Sequence, residues 1–474
     1  MPQDRPTNAD YTAEFFALAA ERKGDIAGRR ATRAYMENST AIVHHRVVDS
    51  SFVPRLYNNE TYTTMRSIAE TTHTILCKVI NHYLDDPAYR SVFSYDARLV
   101  DLILLPRGYD AVLPFARVDA FINEDDYSAA FCEFNADGSS GMNENREITA
   151  SVMGSATLQA FASKHRVEGC ELFDSWADEF LAIYATYKHR VENPRIAICD
   201  FLENAVVDEF QIFCDLFAAR GISCVVCDVR DLHFDGQVLR DGTGQPIHAI
   251  WRRSVTNDII DHWEQSQDLI AAVRAESVAL IGSFAGHIVH DKQIFEALFH
   301  PLTQAFLTPE EIAFTQDLVP KTTFLDSAHI DLATVRDHKD DWIIKPTDAY
   351  GAADVYAGCF FEAEAWNSLI NRFANGAAGA PFLVQRYITP YKTMTLPADA
   401  GIENLSDAVV DRQGVPYNNL SGLYLYNGKF TGVFSRLGPL PTISKDMRGI
   451  TAATLWVDRE AGAADAAGTA SEQA

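Results

Sequence analysis

Two segments decide how this chain reads: Pro114-Phe-Ala-Arg-Val-Asp-Ala-Phe-Ile122 and Ala130-Phe-Cys-Glu-Phe-Asn-Ala-Asp-Gly138, with Asn123-Glu-Asp-Asp-Tyr127 as the turn between them. Side chains alternate across a strand. Arg117 and Asp119 therefore share one face of the first strand, and Glu133 and Asn135 share one face of the second. Cys132, between Phe131 and Glu133, should point the other way, into the core. Paired as a hairpin, the four polar groups converge. Two carboxylates side by side repel unless something neutralises them. Oxygen donors of this kind (Asp119, Glu133 and the Asn135 carbonyl) suit Mg²⁺, which often works with nucleotide phosphates. An arginine beside them suits an oxyanion or phosphoryl group. The competing reading is a half-exposed hairpin with a polar, solvated face.

The rest of the sequence sets bounds. The chain has 474 residues, 47% of them hydrophobic, which predicts two to three folding units. The net charge of −25 argues against general nucleic-acid binding and against docking on anionic membranes. There is no secretory signal at Met-Pro-Gln-Asp-Arg-Pro and no apolar run long enough to span a bilayer. Eight scattered cysteines suit a reduced, cytoplasmic protein.

Along the chain, residues 1–100 read as mostly helical, with Tyr11–Arg22 and Tyr62–Leu84 clearest. The hairpin region, 101–192, ends in a helix over Glu168–Val191. From 193 to 290 strands alternate with helices. The strands are Arg195–Phe201, Ile222–Asp228, Ile247–Arg253 and Val278–Gly282; the helices are Asn204–Gly221 and Asp258–Ser277. This pattern predicts a parallel, Rossmann-like α/β unit. Ligands of such sheets sit beyond the carboxyl ends of strands. Arg252 and Arg253 occupy one such end, where they either bind a substrate carboxylate or cap the strand. The region 291–457 contains a strand ending at Lys345, a loop of small residues over Pro346–Ala353, and a strand at Phe382–Ile388. It closes with a hairpin whose turn is Asn427-Gly428. The tail, 458–474, reads as disordered.

A lysine at a strand end, followed by small residues, can hold phosphates through its charge and through backbone N–H groups. Here the chain resembles a known family. Arg117-Val-Asp119 followed by Glu133-Phe-Asn135 is similar to the Arg-x-Asp … Glu-x-Asn signature of glutathionylspermidine synthase-like proteins, which are ATP-grasp ligases of circularly permuted order. His290-Asp-Lys-Gln-Ile-Phe-Glu-Ala-Leu-Phe299, Ile344-Lys-Pro346 and Leu383-Val-Gln-Arg-Tyr387 resemble further segments of that family in the same order. The resemblance implies an α/β ATP-grasp-like fold in circularly permuted order, with the parallel unit as a pre-ATP-grasp, substrate-binding domain. It implies ATP and Mg²⁺ as cofactors. Asp119, Glu133 and Asn135 would hold the metal, and Arg117 would be catalytic. Lys292, Lys345, Asp348, Gly351, Gln385, Arg386 and Tyr387 would bind ATP. Ser139, Ser140, Arg252, Arg253 and Arg436 are the candidate substrate contacts.

The implied reaction joins a small carboxylate to an amine or short peptide through an acyl phosphate. Gly138–Asn145 and Thr347–Ala353 are the candidate lids that would exclude water. Asp137-Gly-Ser-Ser-Gly141 and the loop with Asp348 and Ala352-Ala353 depart from the family pattern, so neither polyamine nor glutathione is assigned as substrate. A nucleotide-binding protein that ligates nothing, and a phosphotransferase, are the other readings. Assembly as a homodimer is left open. Cys224-Val-Val-Cys227 reads as buried core rather than a zinc or redox pair, His287 and His290 as helix capping or surface, and Tyr424-Leu-Tyr426 as sheet packing.

Overall fold

The computed structural model describes residues 5–43, 46–203, 205–349, 353–398, 414–443 and 447–460. Gly351 and residues 461–474 of the expected tail lie outside the described residues.

The hairpin forms as its alternation demands. Phe115–Ile122 and Ala129–Asn135 pair antiparallel, with Arg117 opposite Asn135 and Asp119 opposite Glu133. They enter a central sheet in the order Ile450–Ala452, Lys429–Gly438, Val415–Tyr426, Phe115–Ile122, Ala129–Asn135, with Lys392–Thr395 beside the start of Val415–Tyr426. The two longest strands meet at Asn427-Gly428, where both residues take positive φ (47° and 87°), as a two-residue hairpin turn requires. One face of this sheet is apolar: Ala116, Val118, Ala120, Leu423, Leu425 and Val433 are all buried in one cluster. The helix Asn59–Asp85 covers it. Asn58 caps that helix by accepting from Thr61 N at 2.9 Å, and Met65, Ile68, Ile75, Leu76, Val79 and Tyr83 recur at helical spacing on its buried side. Arg117 and Asp119 are left on the opposite face, which holds the site.

The parallel unit also forms. Its order is Ala279–Ile281, Ala249–Arg252, Arg195–Asp200, Ser223–Asp228, all parallel. Ile196, Ala197, Ile198 and Cys199 are fully buried in succession, as expected of a strand covered on both faces. Helix Val207–Ala219 places Phe210, Phe213 and Phe217 against it. Two expected helices are shorter. Asp258–Ser277 breaks at His262 into Thr256–Asp261 and Gln267–Arg274, with a 3₁₀ turn between. In place of Glu168–Val191 the helix is Asp174–Ala185, because Val167–Gly169 is drawn into a strand beside Thr454–Val457. Thr454–Val457 also pairs in parallel with Arg55–Tyr57, tying the helical N-terminal region to the far end of the chain.

A separate antiparallel sheet, ordered Thr322–Phe324, Phe382–Arg386, Trp342–Pro346, Tyr356–Ala357, carries Lys345. No helix among the described residues is long and apolar enough to cross a membrane.

Candidate functional site

The polar face of the hairpin is a network of ion pairs. Arg117 holds Asp119 with two hydrogen bonds, Nε to Oδ1 at 2.7 Å and Nη2 to Oδ2 at 3.0 Å. Arg436, from the strand Lys429–Gly438, also donates to Asp119 Oδ2. Asn135 Nδ2 donates to the same oxygen at 3.1 Å and lies 3.4 Å from Glu133 Oε1. The carboxylate repulsion expected from the sequence is thus relieved by two guanidinium groups. Asp119 has no exposed surface, so the pairing matters more than it would in water. Gly422 lies opposite Asp119 and makes this possible. A Cβ there would stand 2.8 Å from Arg117 Cδ and 2.9 Å from Asp119 Oδ1.

Burial opposes the charge on Glu133, but Lys292, followed by Arg436, Arg117 and Lys345, overcomes it and holds the carboxyl down at about 2. Glu133 Oε2 is 3.8 Å from Lys292 Nζ. Lys292 also donates to Ala349 O at 2.7 Å, and its backbone N–H to Thr347 O at 2.7 Å. Lys345 is buried and donates to Gln385 Oε1 at 2.7 Å and Cys132 O at 3.4 Å. Burial pushes its ammonium below the usual value. Two lysines from distant segments therefore converge beside the hairpin.

They open onto a pocket with a cavity volume of about 110 Å³. Glu133, Lys292, Lys345 and Arg436 form its charged end; Phe121, Phe131, Ile343, Val355, Ile388, Leu420 and Ile443 form apolar walls. Apolar walls with a few placed charges are the usual lining of a small-molecule site. Gln385, Arg386 and Tyr387 line it as well. The Arg386 side chain is exposed and pairs with Asp341 at 3.0 Å, while Tyr387 N–H is taken by Asp341 O at 2.7 Å. The strand is paired on both sides and the Gln385 amide bonds Lys345 and Thr322, so this stretch offers the pocket neither an open edge nor a free arginine.

Other expected residues lie elsewhere. Cys132 does not enter the core. The register shifts between Asp119 and Ala120, so that Phe131 follows Glu133 in the pairing; Cys132 is the extra residue of a bulge and reaches the pocket wall. Burial pushes its thiol up to about 11, which keeps it protonated. Asp348 does not line the pocket; it accepts from Asn257 Nδ2 and faces His287 and His290. Those histidines are neither caps nor surface groups: they are 1% and 7% exposed.

Arg252 and Arg253, at the strand end, point inward. Arg252 pairs with Asp137 at 2.5 Å and donates to the carbonyls of Gly282, Ser254 and Ser283. Arg253 pairs with Glu209 at 3.0 Å and stacks over Trp251 and Phe210. Arg252 thereby holds the parallel unit against the hairpin's end, while the Arg253–Glu209 pair lies within that unit. Ser139 is buried, and Ser140 gives its carbonyl to Arg117 Nη1 at 2.6 Å and to Tyr424 OH at 2.7 Å. Residues 138–145 are thereby anchored, the last four as the first turn of helix Met142–Met153, so this segment is not a lid. Of Thr347–Ala353, residues 350–352 lie outside the described residues. Cys224 faces Cys214 at 3.1 Å rather than Cys227, and all eight cysteines are free.

The donor set fits a hard cation in kind: Glu133 and Asn135 can each offer an oxygen, and Asp119 is beside them. Both Asp119 oxygens hold arginines, so an ion there must draw Oδ2 away from Arg436.

No family model matches this chain, and no curated protein does. Solved structures do. A glutathione synthetase-like effector from Globodera pallida, solved in its apo form, is similar over 90% of this chain and 96% of its own, with 10% identity and a TM-score of 0.59. A protein described as a gamma-glutamylcysteine synthetase from Methylobacillus flagellatus KT overlaps 80% of this chain and 85% of its own, at 10% identity and a TM-score of 0.38. The fold is mixed α/β and ATP-grasp-like.

Proposed function

We propose that this protein is an ATP-dependent ligase that joins a small carboxylate to an amine through an acyl phosphate. The observation that carries this reading is the meeting of Lys292, Lys345 and Glu133 at one end of a single apolar-walled pocket, next to the Arg117–Asp119–Arg436 network. Apolar walls suit a purine base, and the charged end suits its phosphates. In the first step the substrate carboxylate attacks the γ-phosphorus and the bond to the β-phosphate oxygen breaks, releasing ADP. In the second the amine attacks the acyl carbon, loses a proton, and phosphate departs. Mg²⁺ on Asp119, Glu133 and Asn135 would neutralise charge on the transferring phosphoryl group. Arg117 uses three of its five N–H bonds on Asp119 and Ser140 O. The other two, beside the Tyr424 hydroxyl, are those an oxyanion would have to reach, in a guanidinium held rigid by those three. Small carboxylates and amines or short peptides are the proposed substrates.

The test is ADP release from ATP across a matrix of carboxylates and amines. Release that needs both partners supports ligation. Release with a carboxylate alone and no amide formed indicates a phosphotransferase. A second reading, a nucleotide-binding protein that ligates nothing, is favoured by the closed ion-pair network on Asp119, which leaves neither oxygen open. ATP binding without ADP release from any pair would select it.

A further inference from the structure

Behind the Lys292 segment, five ionisable side chains meet, four of them buried and Asp348 partly so. His287 and His290 come from one short helix, Asp291 follows it, Asp348 reaches in from the loop after Lys345, and Asp137 comes from the end of the hairpin. His287, Asp291 and Asp137 are 1–3% exposed. Their spacing is unusual. His287 Nε2 stands 3.6 Å from Asp348 Oδ2 and 3.9 Å from Asp291 Oδ2, and His290 Nε2 stands 3.8 Å from Asp348 Oδ1. These gaps are too long for hydrogen bonds. Nδ1 of both histidines is likewise buried with no hydrogen-bond partner among the described residues. Buried polar groups are nearly always bonded, and facing carboxylates without a counter-charge are costly. Ligand atoms around a tetrahedral ion at about 2.0–2.1 Å stand about 3.4 Å apart. The two gaps from His287 exceed that spacing by a few tenths of an ångström, and one ligand atom from each of His287, Asp291 and Asp348 lies within 4.8 Å of the others.

We propose that His287, Asp291 and Asp348 form a buried site for a divalent transition-metal ion. The outer contacts are those of ligands held in place. Asp291 accepts from Gln293 N at 2.8 Å and Gln293 Nε2 at 3.2 Å, and Asp348 accepts from Asn257 Nδ2. His287 Nδ1 faces Asp137 Oδ2 at 3.5 Å, and Asp137 is itself fixed by Arg252 and by Thr256 N–H at 2.7 Å. A carboxylate behind a ligating histidine sets its tautomer and orientation. Imidazole and carboxylate together suit Zn²⁺ or Mn²⁺ better than Mg²⁺. The ion would join Asp291 to Asp348. Their neighbours Lys292 and Ala349 are already bonded to each other, so it would pin the phosphate-binding lysine to its loop.

The experiment is equilibrium dialysis of the full chain with Zn²⁺ or Mn²⁺ alone, without nucleotide, followed by metal analysis. Wild type and Glu133→Gln should each retain one equivalent; His287→Gln and Asp348→Asn should bind at least about ten-fold more weakly, the loss seen even when only an outer contact of a metal site is removed. No retained ion in wild type overturns the proposal, as does equal retention in His287→Gln and Asp348→Asn. Should those variants fail to fold, Co²⁺ added to wild type decides: the absorption of four- or five-coordinate Co²⁺ is expected, and the spectrum of the six-coordinate aqueous ion overturns the site.

Discussion

Replacing Arg117 by alanine tests the polar face of the hairpin most directly. The guanidinium is 7% exposed and makes three charge-assisted contacts, two to Asp119 and one to Ser140 O. Removing one partner of a buried ion pair costs about 3–5 kcal/mol, mostly because the other charge is left uncompensated. Arg436 remains on Asp119 Oδ2, which places the expected cost at the low end, about 3 kcal/mol. That is a rise of about 150-fold in the unfolding constant. With an m-value of about 3 kcal/mol/M, the urea midpoint should fall by about 1 M at unchanged slope. The double variant Arg117→Ala/Asp119→Ala should be less destabilised than the sum of the two single changes, because no buried carboxylate is then left short of a partner. A midpoint for Arg117→Ala within about 0.2 M of wild type would refute the buried pair.

Four further outcomes are expected. Lys345→Met and Lys292→Met should each weaken ATP binding about ten-fold or more by calorimetry while leaving the fold intact, since both lysines face the pocket and Lys345 has only neutral protein partners at hydrogen-bond distance; unchanged affinity in both would count against a phosphate site. Gly422→Ala should reduce the rise in melting temperature that Mg²⁺·ATP gives wild type, because its Cβ meets Arg117 and Asp119; an equal rise would show that the network tolerates displacement. Arg117→Ala should lower ADP turnover about 100-fold with ATP affinity little changed, as for loss of one oxyanion donor; near-normal turnover leaves it a structural group. Burial pushes the Asp200 carboxyl up to about 7, against the pull of Arg253. The native state therefore binds the extra proton between about pH 4 and 7, and that stabilisation is lost as pH rises through 7. Asp200→Asn should gain on wild type by about 1–2 kcal/mol between pH 4.5 and 7.5 in urea titrations, less than the full shift because the group is partly hydrated; a constant difference would contradict this.

Alternation in the sequence was enough to place Arg117, Asp119, Glu133 and Asn135 together, because a side-chain period of two is a local property of a strand. The parallel unit was legible for the same reason, as short apolar runs alternate with amphipathic stretches. What failed depends on distant contacts. The bulge that turns Cys132 to the pocket exists because the hairpin must close against other elements, and nothing in Phe131-Cys-Glu133 announces it. Arg252 and Arg253 look like free strand-end charges until Asp137 and Glu209 are brought beside them. In the sequence Asp348 belongs to the phosphate loop; in space it stands with His287 and Asp291. The apolar pocket walls come from seven separate stretches, so no single segment signals them. Gly422 was visible only as one residue of a strand; its missing side chain has meaning only once Arg117 is seen to fill the space.

The pairing of Asp119 with Arg436 also sets the order in which this molecule can be completed. The two residues are 317 positions apart. On a ribosome adding roughly 5–20 residues per second, the hairpin leaves the exit tunnel about 15–60 s before its second arginine is made. During that interval its inner edge has no Val415–Tyr426 strand to pair with, and its carboxylate has only one of its two cations. The half-built sheet is then an exposed edge carrying excess negative charge. Charge on an edge discourages pairing with other chains. Glu133, whose lysines and second arginine also come later in the chain, would add to that charge and discourage pairing with other chains until the C-terminal strands arrive.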